Sequence, residues 1–146
     1  MKYSKIVLIV VAAFAALLEV GCASVTRQAT NVYPEPKPDK GLVYFYREKK
    51  FMGAAISYDI TERPSNKVIG AIANGTYFFY DADPGSHTFV ASTEADSSRT
   101  IQVEAGKTYY VECGVEMGVL AGRPALKIAS DAEAKSVLPA LQYATK

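Results

Sequence analysis

Few residues in this chain have side chains that carry chemistry by themselves: two cysteines, Cys22 and Cys113, and a single histidine, His87. A zinc site or a Cys–His catalytic pair needs several such side chains, and no second histidine is present to complete one. The sequence also lacks Gly-x-Ser-x-Gly, the motif that presents a serine nucleophile. We therefore expect no catalytic residue, no metal and no cofactor, and we keep a hydrolase that uses His87 as the less favoured alternative.

Gly106, Lys107 and Thr108 form a Gly-Lys-Thr sequence of the kind that binds nucleotide phosphates. A phosphate-binding loop has the spacing Gly-x-x-x-x-Gly-Lys-Thr and opens a helix whose first amides face the phosphates. Here Ile101 occupies the position of the first glycine, and the Tyr-Tyr-Val that follows favours a strand. We interpret Ala105-Gly106 as a hairpin corner and not as a nucleotide site.

Cys113 lies in an alternating run and shares one face of a predicted strand with Val111 and Val115. That face is apolar, so we expect a buried and unreactive thiol rather than a nucleophile. Carboxylates such as Asp83 and Glu94 lie near residues typical of turns, so we interpret them as surface groups rather than acid–base pairs or calcium ligands.

The first residues have the composition of an export signal. Lys2 and Lys5 give a positive start, and residues 6–18 form an uncharged apolar run. This run is too short to span a bilayer, since a transmembrane helix needs about 20 residues. We therefore predict a signal peptide over residues 1–21.

Gly21 directly before Cys22 completes a sequence that resembles the lipobox of bacterial lipoproteins. The resemblance implies that Cys22 carries acyl chains such as palmitate and becomes the first residue after cleavage. Glu19 stands where the family has Leu or Val, and an ordinary cleavage after Ala23 is the rival interpretation. Ala23 in second place resembles lipoproteins sorted to the outer membrane, so the expected location is the bacterial outer membrane, facing the periplasm.

The charge of the chain excludes one class of partner. The full chain has a formal net charge of +1, and removal of Lys2, Lys5 and Glu19 with the signal leaves a neutral chain. It has no basic cluster of the kind that phosphate backbones require, so we expect no nucleic acid partner. The expected partners are the membrane, reached through the lipid anchor, and an envelope protein or the cell wall.

Three segments are expected: a signal peptide at 1–21, a lipidated N-terminus with a Pro-rich tether at 22–40, and a β-sandwich domain at 41–146. Three prolines alternate with other residues within residues 34–38, which favours an extended polyproline conformation at about 3.1 Å per residue. We expect this tether to hold the domain away from the lipid surface.

The domain is predicted to be all-β, an antiparallel β-sandwich of about seven to eight strands with a short C-terminal helix. Apolar residues recur with a period of two, and most of the ten tyrosines and six phenylalanines alternate in this way, which favours core packing over sugar stacking. Asn74-Gly75 and Asp83-Pro84-Gly85 are predicted to connect consecutive antiparallel hairpins. The expected strands are residues 41–47, 54–60, 67–73, 76–82, 86–92, 98–104, 107–115 and 124–130.

After the last strand, Ser130 and Glu133 have the spacing of a capping box and predict a helix. Its apolar residues lie on one face, and Pro139 ends or kinks it. Residues 114–124 have glycine at every fourth position, a spacing known from helix packing in membranes, but the run is short and contains charges. We predict a surface loop there that binds a partner through Met117, Val119, Leu120 and Arg123.

The segments LVYFYR, ANGTYFFYDADPGSHTF, AGKTYYVECGVEMG and GRPAL follow the Gly-Cys signal in this order. In this arrangement they resemble the bacterial domain-of-unknown-function family 2846, over about residues 41–141. The resemblance implies a fold and an envelope location but no activity.

We therefore expect a lipid-anchored envelope lipoprotein, not an enzyme, whose β-sandwich is a non-catalytic binding or structural module for protein or cell-wall partners. The alternative is a soluble periplasmic protein that binds a small ligand or a glycan. A deep aromatic-lined pocket would favour the small ligand, and a shallow apolar patch around Met117 to Leu120 would favour a protein partner.

Overall fold

The computed structural model describes residues 23–146, so the predicted signal peptide and Cys22 lie outside the described residues. This part of the chain forms ten β-strands, one α-helix and a one-turn 3-10 helix. In chain order the elements are β1 (Thr26–Arg27), β2 (Gly41–Tyr46), β3 (Tyr58–Arg63), β4 (Lys67–Ile72), β5 (Thr76–Ala82), β6 (Gly85–Ser92), β7 (Asp96–Val103), β8 (Thr108–Glu116), β9 (Arg123–Ala129), α1 (Asp131–Val137), the 3-10 turn Leu138–Ala140 and β10 (Gln142–Thr145).

The strands form two sheets that pack against each other. One sheet has six strands in the order β1-β10-β5-β2-β8-β9, and the other has four in the order β4-β3-β6-β7. Most neighbours are antiparallel, but β2 runs parallel to β8 and β5 runs parallel to β10. The predicted all-β, sandwich-like fold with a short helix is confirmed, whereas the expected seven or eight strands and the purely antiparallel pairing are wrong.

The turns at Asn74-Gly75, Asp83-Pro84-Gly85 and Ala105-Gly106 do not close hairpins. They carry the chain between the sheets, joining β4 to β5, β5 to β6 and β7 to β8. Gly75 and Gly106 have positive φ angles of 71° and 72°, so these turns do reverse the chain. The turn residues determine that the chain reverses, but not which sheet the next strand joins. Because the chain crosses between the sheets, strands that are not consecutive become neighbours in the six-stranded sheet, and some of these pairs are parallel.

Aromatic side chains fill the space between the sheets. The Phe45 ring stacks on Phe78 with 4.9 Å between centroids and meets the edge of Phe89 at 5.0 Å. On the other face of the six-stranded sheet, α1 and the 3-10 turn cover Tyr44 and Tyr46. Because both faces of β2 are covered, all six of its residues are buried. Core packing therefore accounts for most of the aromatic residues, as predicted.

Helix α1 begins at the predicted capping box. The Glu133 amide donates to Ser130 Oγ at 3.3 Å, and the Ser130 amide donates to Glu133 Oε2 at 2.8 Å. The helix ends at Val137, and Pro139, which has no amide hydrogen, lies in the 3-10 turn that follows.

Residues 23–40, expected to form a free tether, pack along the domain instead; we call this segment the N-terminal strap. β1 pairs with β10, and the Gln28 amide donates to the Tyr143 carbonyl at 2.8 Å. Further along, the Tyr33 ring stacks on Tyr77 with 5.3 Å between centroids. The prediction of a free tether is therefore wrong. The segment lacks apolar periodicity, but backbone hydrogen bonds and single aromatic rings make these contacts without it.

The strap should depend on the buried hydroxyl of Tyr77, which accepts from the Val32 amide at 3.0 Å and donates to the Val32 carbonyl at 2.9 Å. Tyr77→Phe leaves both backbone groups of Val32 without this partner, so it should lower the free energy of unfolding by about 1–3 kcal/mol. It should also make the peptide bond after Arg27 accessible to trypsin. Urea unfolding and limited proteolysis measure the two effects.

Tyr109→Phe is the matched control, because the Tyr109 hydroxyl accepts from the Glu104 amide at 3.0 Å and does not contact the strap. This variant should lose some stability without strap cleavage. Rapid cleavage of the wild-type protein at Arg27 would contradict an ordered strap.

Candidate functional site

His87 is held between two acceptors. Its Nδ1 faces the carboxylate of Glu62, and its Nε2 lies 2.7 Å from the backbone carbonyl of Asp83. The Tyr80 hydroxyl donates to the other Glu62 oxygen at 3.0 Å, and burial together with this carboxylate raises the pKa of Tyr80 to about 12. Within residues 23–146 neither ring nitrogen of His87 has a serine or cysteine partner. The cluster thus ties β3, β5 and β6 together.

The other chemical candidates make local contacts. Asp81 pairs with Lys37 and Asp83 pairs with Lys40. Among the described residues, no three His, Cys, Asp or Glu side chains lie close enough together to hold a metal ion. Cys113 is fully buried, as predicted, and this burial raises the pKa of its thiol.

Large apolar side chains are exposed together at one end of the domain, where two loops meet. Loop 47–57 joins β2 to β3, and loop 117–122 joins β8 to β9. Residues of both loops line a shallow cavity of about 230 Å³. We call this surface the apolar end; its exposed side chains, with their exposed fractions, are Phe51 (101%), Met52 (63%), Met117 (73%), Val119 (83%) and Leu120 (94%).

Glu94, in the turn between β6 and β7, fixes the shape of loop 117–122. The amides of Val119, Leu120 and Ala121 donate to its carboxylate at 2.8, 2.9 and 3.0 Å, and Arg123 Nε donates at 3.1 Å. These hydrogen bonds, those from the backbone above all, lower the pKa of Glu94 to about 2, so the carboxylate is ionised at neutral pH. Consecutive amides around an anion form a nest. The nest holds the loop in one shape while its apolar side chains stay exposed.

At two glycines of loop 117–122, neighbouring atoms lie so close that a side chain would overlap them. A Cβ atom at Gly118 would overlap the Glu94 carboxylate, and one at Gly122 would overlap the Ile56 side chain of the other loop. These two glycines therefore reflect close contacts with neighbouring segments. The predicted surface loop is confirmed over residues 117–122, whereas Gly114 lies in β8 and Arg123 and Pro124 lie in β9.

Arg47 fixes loop 47–57 from inside. Its side chain is buried, and its guanidinium donates to the carbonyls of Gly53 and Ile56, both at 2.6 Å. Among the described residues it pairs with no carboxylate, and burial lowers its pKa. The loop therefore closes around a buried cation.

A second cavity, of about 310 Å³, lies between the strap and α1, where Tyr33, Tyr44, Tyr110 and Leu138 line it. The Tyr44 and Tyr110 rings stack on each other with 5.6 Å between centroids, and both side chains are buried. Their faces are therefore not free to stack on a sugar ring.

The structure brings together three of the predicted interaction residues, Met117, Val119 and Leu120, whereas Arg123 supports the loop by pairing with Glu94. Sequence patterns did not identify Phe51 or its neighbour Met52. The available signal was an apolar pair directly after four charged residues, outside any alternation.

Residues 37–124 match the family described as Protein of unknown function (DUF2846). The chain belongs to this family. The matched segment of the DUF2846 domain contains Arg47, Glu94 and both loops of the apolar end. The comparisons with curated proteins and with solved structures gave no significant match. In residues 23–146 no helix is both long enough and apolar enough to cross a membrane.

Glu94 should give the DUF2846 domain a pH-dependent stability. Because folding lowers the pKa of Glu94 from 4.5 to about 2, its stabilising contribution is complete above pH 4.5 and is lost as the pH falls to about 2. Glu94→Gln should destabilise the domain at neutral pH, and its difference from wild type should shrink through this window. Urea unfolding of both proteins across the window measures the difference.

Glu104→Gln is the matched control, because Glu104 pairs with Lys107 on the exposed surface. This variant should follow the wild-type pH profile closely. A Glu94→Gln deficit of constant size at every pH would contradict the role of the ionised carboxylate.

Arg47→Met should loosen loop 47–57. The carbonyls of Gly53 and Ile56 lose two charge-assisted hydrogen bonds, so the free energy of unfolding should fall by roughly 2–4 kcal/mol. Hydrogen exchange should also accelerate at the Ile56 amide, which donates to Gly53 within the loop at 3.0 Å. Arg99→Met, at an exposed position on β7, is the control and should change neither measurement. An unchanged exchange rate at Ile56 would show that Arg47 does not fix the loop.

Proposed function

We propose that this protein is a lipid-anchored lipoprotein of the bacterial outer membrane, facing the periplasm. We further propose that its β-sandwich is a non-catalytic binding or structural module for a protein or cell-wall partner. The anchor is supported by the sequence, in which a positive start and an apolar run lead to Gly21 and Cys22. Acyl chains on Cys22 would supply the membrane affinity, at about 0.8 kcal/mol per buried methylene.

The observation that carries the binding role is the nest around Glu94. A loop whose amides are fixed by an ionised carboxylate keeps Val119 and Leu120 exposed in one arrangement. Apolar side chains on a fixed loop lose little conformational entropy when a partner covers them, so their burial contributes to affinity with little opposing cost. Contiguous exposed apolar surface of this kind marks interaction sites on soluble domains.

A non-catalytic role is supported by the way the reactive side chains are engaged. His87 bridges Glu62 and a backbone carbonyl, and Cys113 lies in the core. The alternative, a soluble small-ligand or glycan binder, draws on the cavity between the strap and α1. A ligand there would have to reach tyrosine rings that already pack on each other.

Leu120→Asp should abolish partner capture without affecting folding. A single charge on a surface loop should change the free energy of unfolding by no more than about 0.5 kcal/mol, while a charge in the centre of an interface disfavours binding. Crosslinking in intact cells followed by purification measures capture, and thermal unfolding measures stability. Val68→Asp, at a partly exposed position on β4, is the control and should keep the crosslinks. Loss of many degrees of melting temperature in Leu120→Asp, or crosslinks equal to wild type, would contradict the binding role of the loop.

Cys22→Ala should leave the protein either unprocessed, with its signal peptide still attached, or released from the membrane, because the acyl chains that supply its affinity are missing. Fractionation of cells with and without globomycin, together with the mass of the N-terminal peptide, measures processing and attachment. A cleaved Cys22→Ala protein that still fractionates with the outer membrane would refute lipid anchoring.

A further inference from the structure

The described chain begins at the apolar end. The carbonyl of Ala23, the residue after Cys22, accepts a hydrogen bond from Ser57 Oγ at 3.0 Å, and Ser57 closes loop 47–57. The strap is paired with β10 from Thr26 onward. Only a few residues therefore separate Cys22 from the folded domain, and they emerge beside this loop.

The tip of loop 47–57 has the composition of a segment that rests in a lipid interface. Phe51 is fully exposed, Met52 is largely exposed, and Lys49 and Lys50 directly precede them. In such segments the apolar side chains enter the boundary between headgroups and acyl chains, while the lysines reach anionic phosphates. Within the described residues Lys49 makes no ion pair, and Lys50 makes only long contacts with Glu48 at 3.7 Å and Glu112 at 3.9 Å.

We propose that Phe51 and Met52 dip into the lipid surface that holds the acyl chains of Cys22, with Lys49 and Lys50 on its anionic headgroups. This rests on the lipid anchor of the proposed function. The contact gives the domain one orientation on the membrane. Arg47 makes that orientation stable, because it closes the loop around its guanidinium and keeps the tip from folding back.

Charge separates the lipid contact from the partner surface. Loop 117–122 is bordered by Glu116 and Arg123 and contacts Glu94, so these two anions and one cation leave an excess of negative charge that disfavours an anionic lipid surface there. Two lysines, by contrast, directly precede Phe51. Leu120 and Val119 should therefore stay out of the lipid and face a partner that lies alongside the membrane. The two loops share one end of the domain but have different occupants.

Tryptophan fluorescence tests the contact without background, because the chain contains no tryptophan. The processed, acylated Phe51→Trp protein is reconstituted in vesicles of phosphatidylethanolamine and phosphatidylglycerol whose acyl chains carry bromine. Its emission should shift to shorter wavelength and lose intensity relative to vesicles without bromine. Val68→Trp, on β4, is the matched control, and its emission should change in neither respect.

The possible results distinguish the lipid contact of Phe51 from the lipid anchor at Cys22. The mass of the N-terminal peptide and sedimentation with vesicles report acylation independently of the fluorescence. An acylated protein whose Phe51→Trp emission is not quenched overturns the lipid contact and leaves the anchor intact. A blue shift without quenching, as contact with a protein or a second copy would give, also overturns it. A chain without acyl groups overturns the anchor and the contact with it. Quenching of Leu120→Trp as well would overturn the separation of the two loops.

Discussion

The apolar end depends on how one buried cation is satisfied. Burying a guanidinium without a carboxylate partner is costly unless other oxygens replace its hydration. Arg47 meets this constraint with the carbonyls of Gly53 and Ile56, and the chain between them has to curve around it. The position of Phe51 at the tip and the contact of Ile56 with loop 117–122 both follow from that curvature. A loop that begins with four charged residues thus acquires a fixed shape.

For the neighbouring loop 117–122 the central charge is an anion, the carboxylate of Glu94. This carboxylate accepts mainly from backbone amides, and among the described residues Arg123 is its one charged partner. The two charges do not pair with each other; each organises a different loop through backbone groups. Because those groups point inward to the charges, the apolar side chains of both loops are left outside. Exposure of these side chains is therefore a consequence of the two charge sites and not of weak packing.

Sequence patterns predicted the features that rest on local rules. Alternation located β2 to β9, although β3 begins at Tyr58 rather than at residue 54, and the capping box placed the start of α1. The short strands β1 and β10 were not predicted. The division into two sheets was not predictable, since a turn such as Asn74-Gly75 has the same residues whether it closes a hairpin or crosses between sheets. The roles of Arg47 and Glu94 were not predicted for a related reason, and Glu94 was interpreted only as a surface carboxylate near a turn. Their partners are mostly backbone groups, which leave no pattern in a sequence.

The N-terminal strap changes where a partner can meet this protein. A free polyproline tether over residues 23–40 would place the domain up to roughly 50 Å from the lipid. The strap instead returns the chain to the apolar end, where Asn74 accepts hydrogen bonds from Arg27 and from the Lys50 amide. If Cys22 carries acyl chains, almost no free chain lies between the anchor and the domain, so the domain sits directly on the bilayer. Loop 117–122 then lies near the headgroups, so its partner must reach it in the plane of the membrane, as a membrane protein or another anchored lipoprotein would.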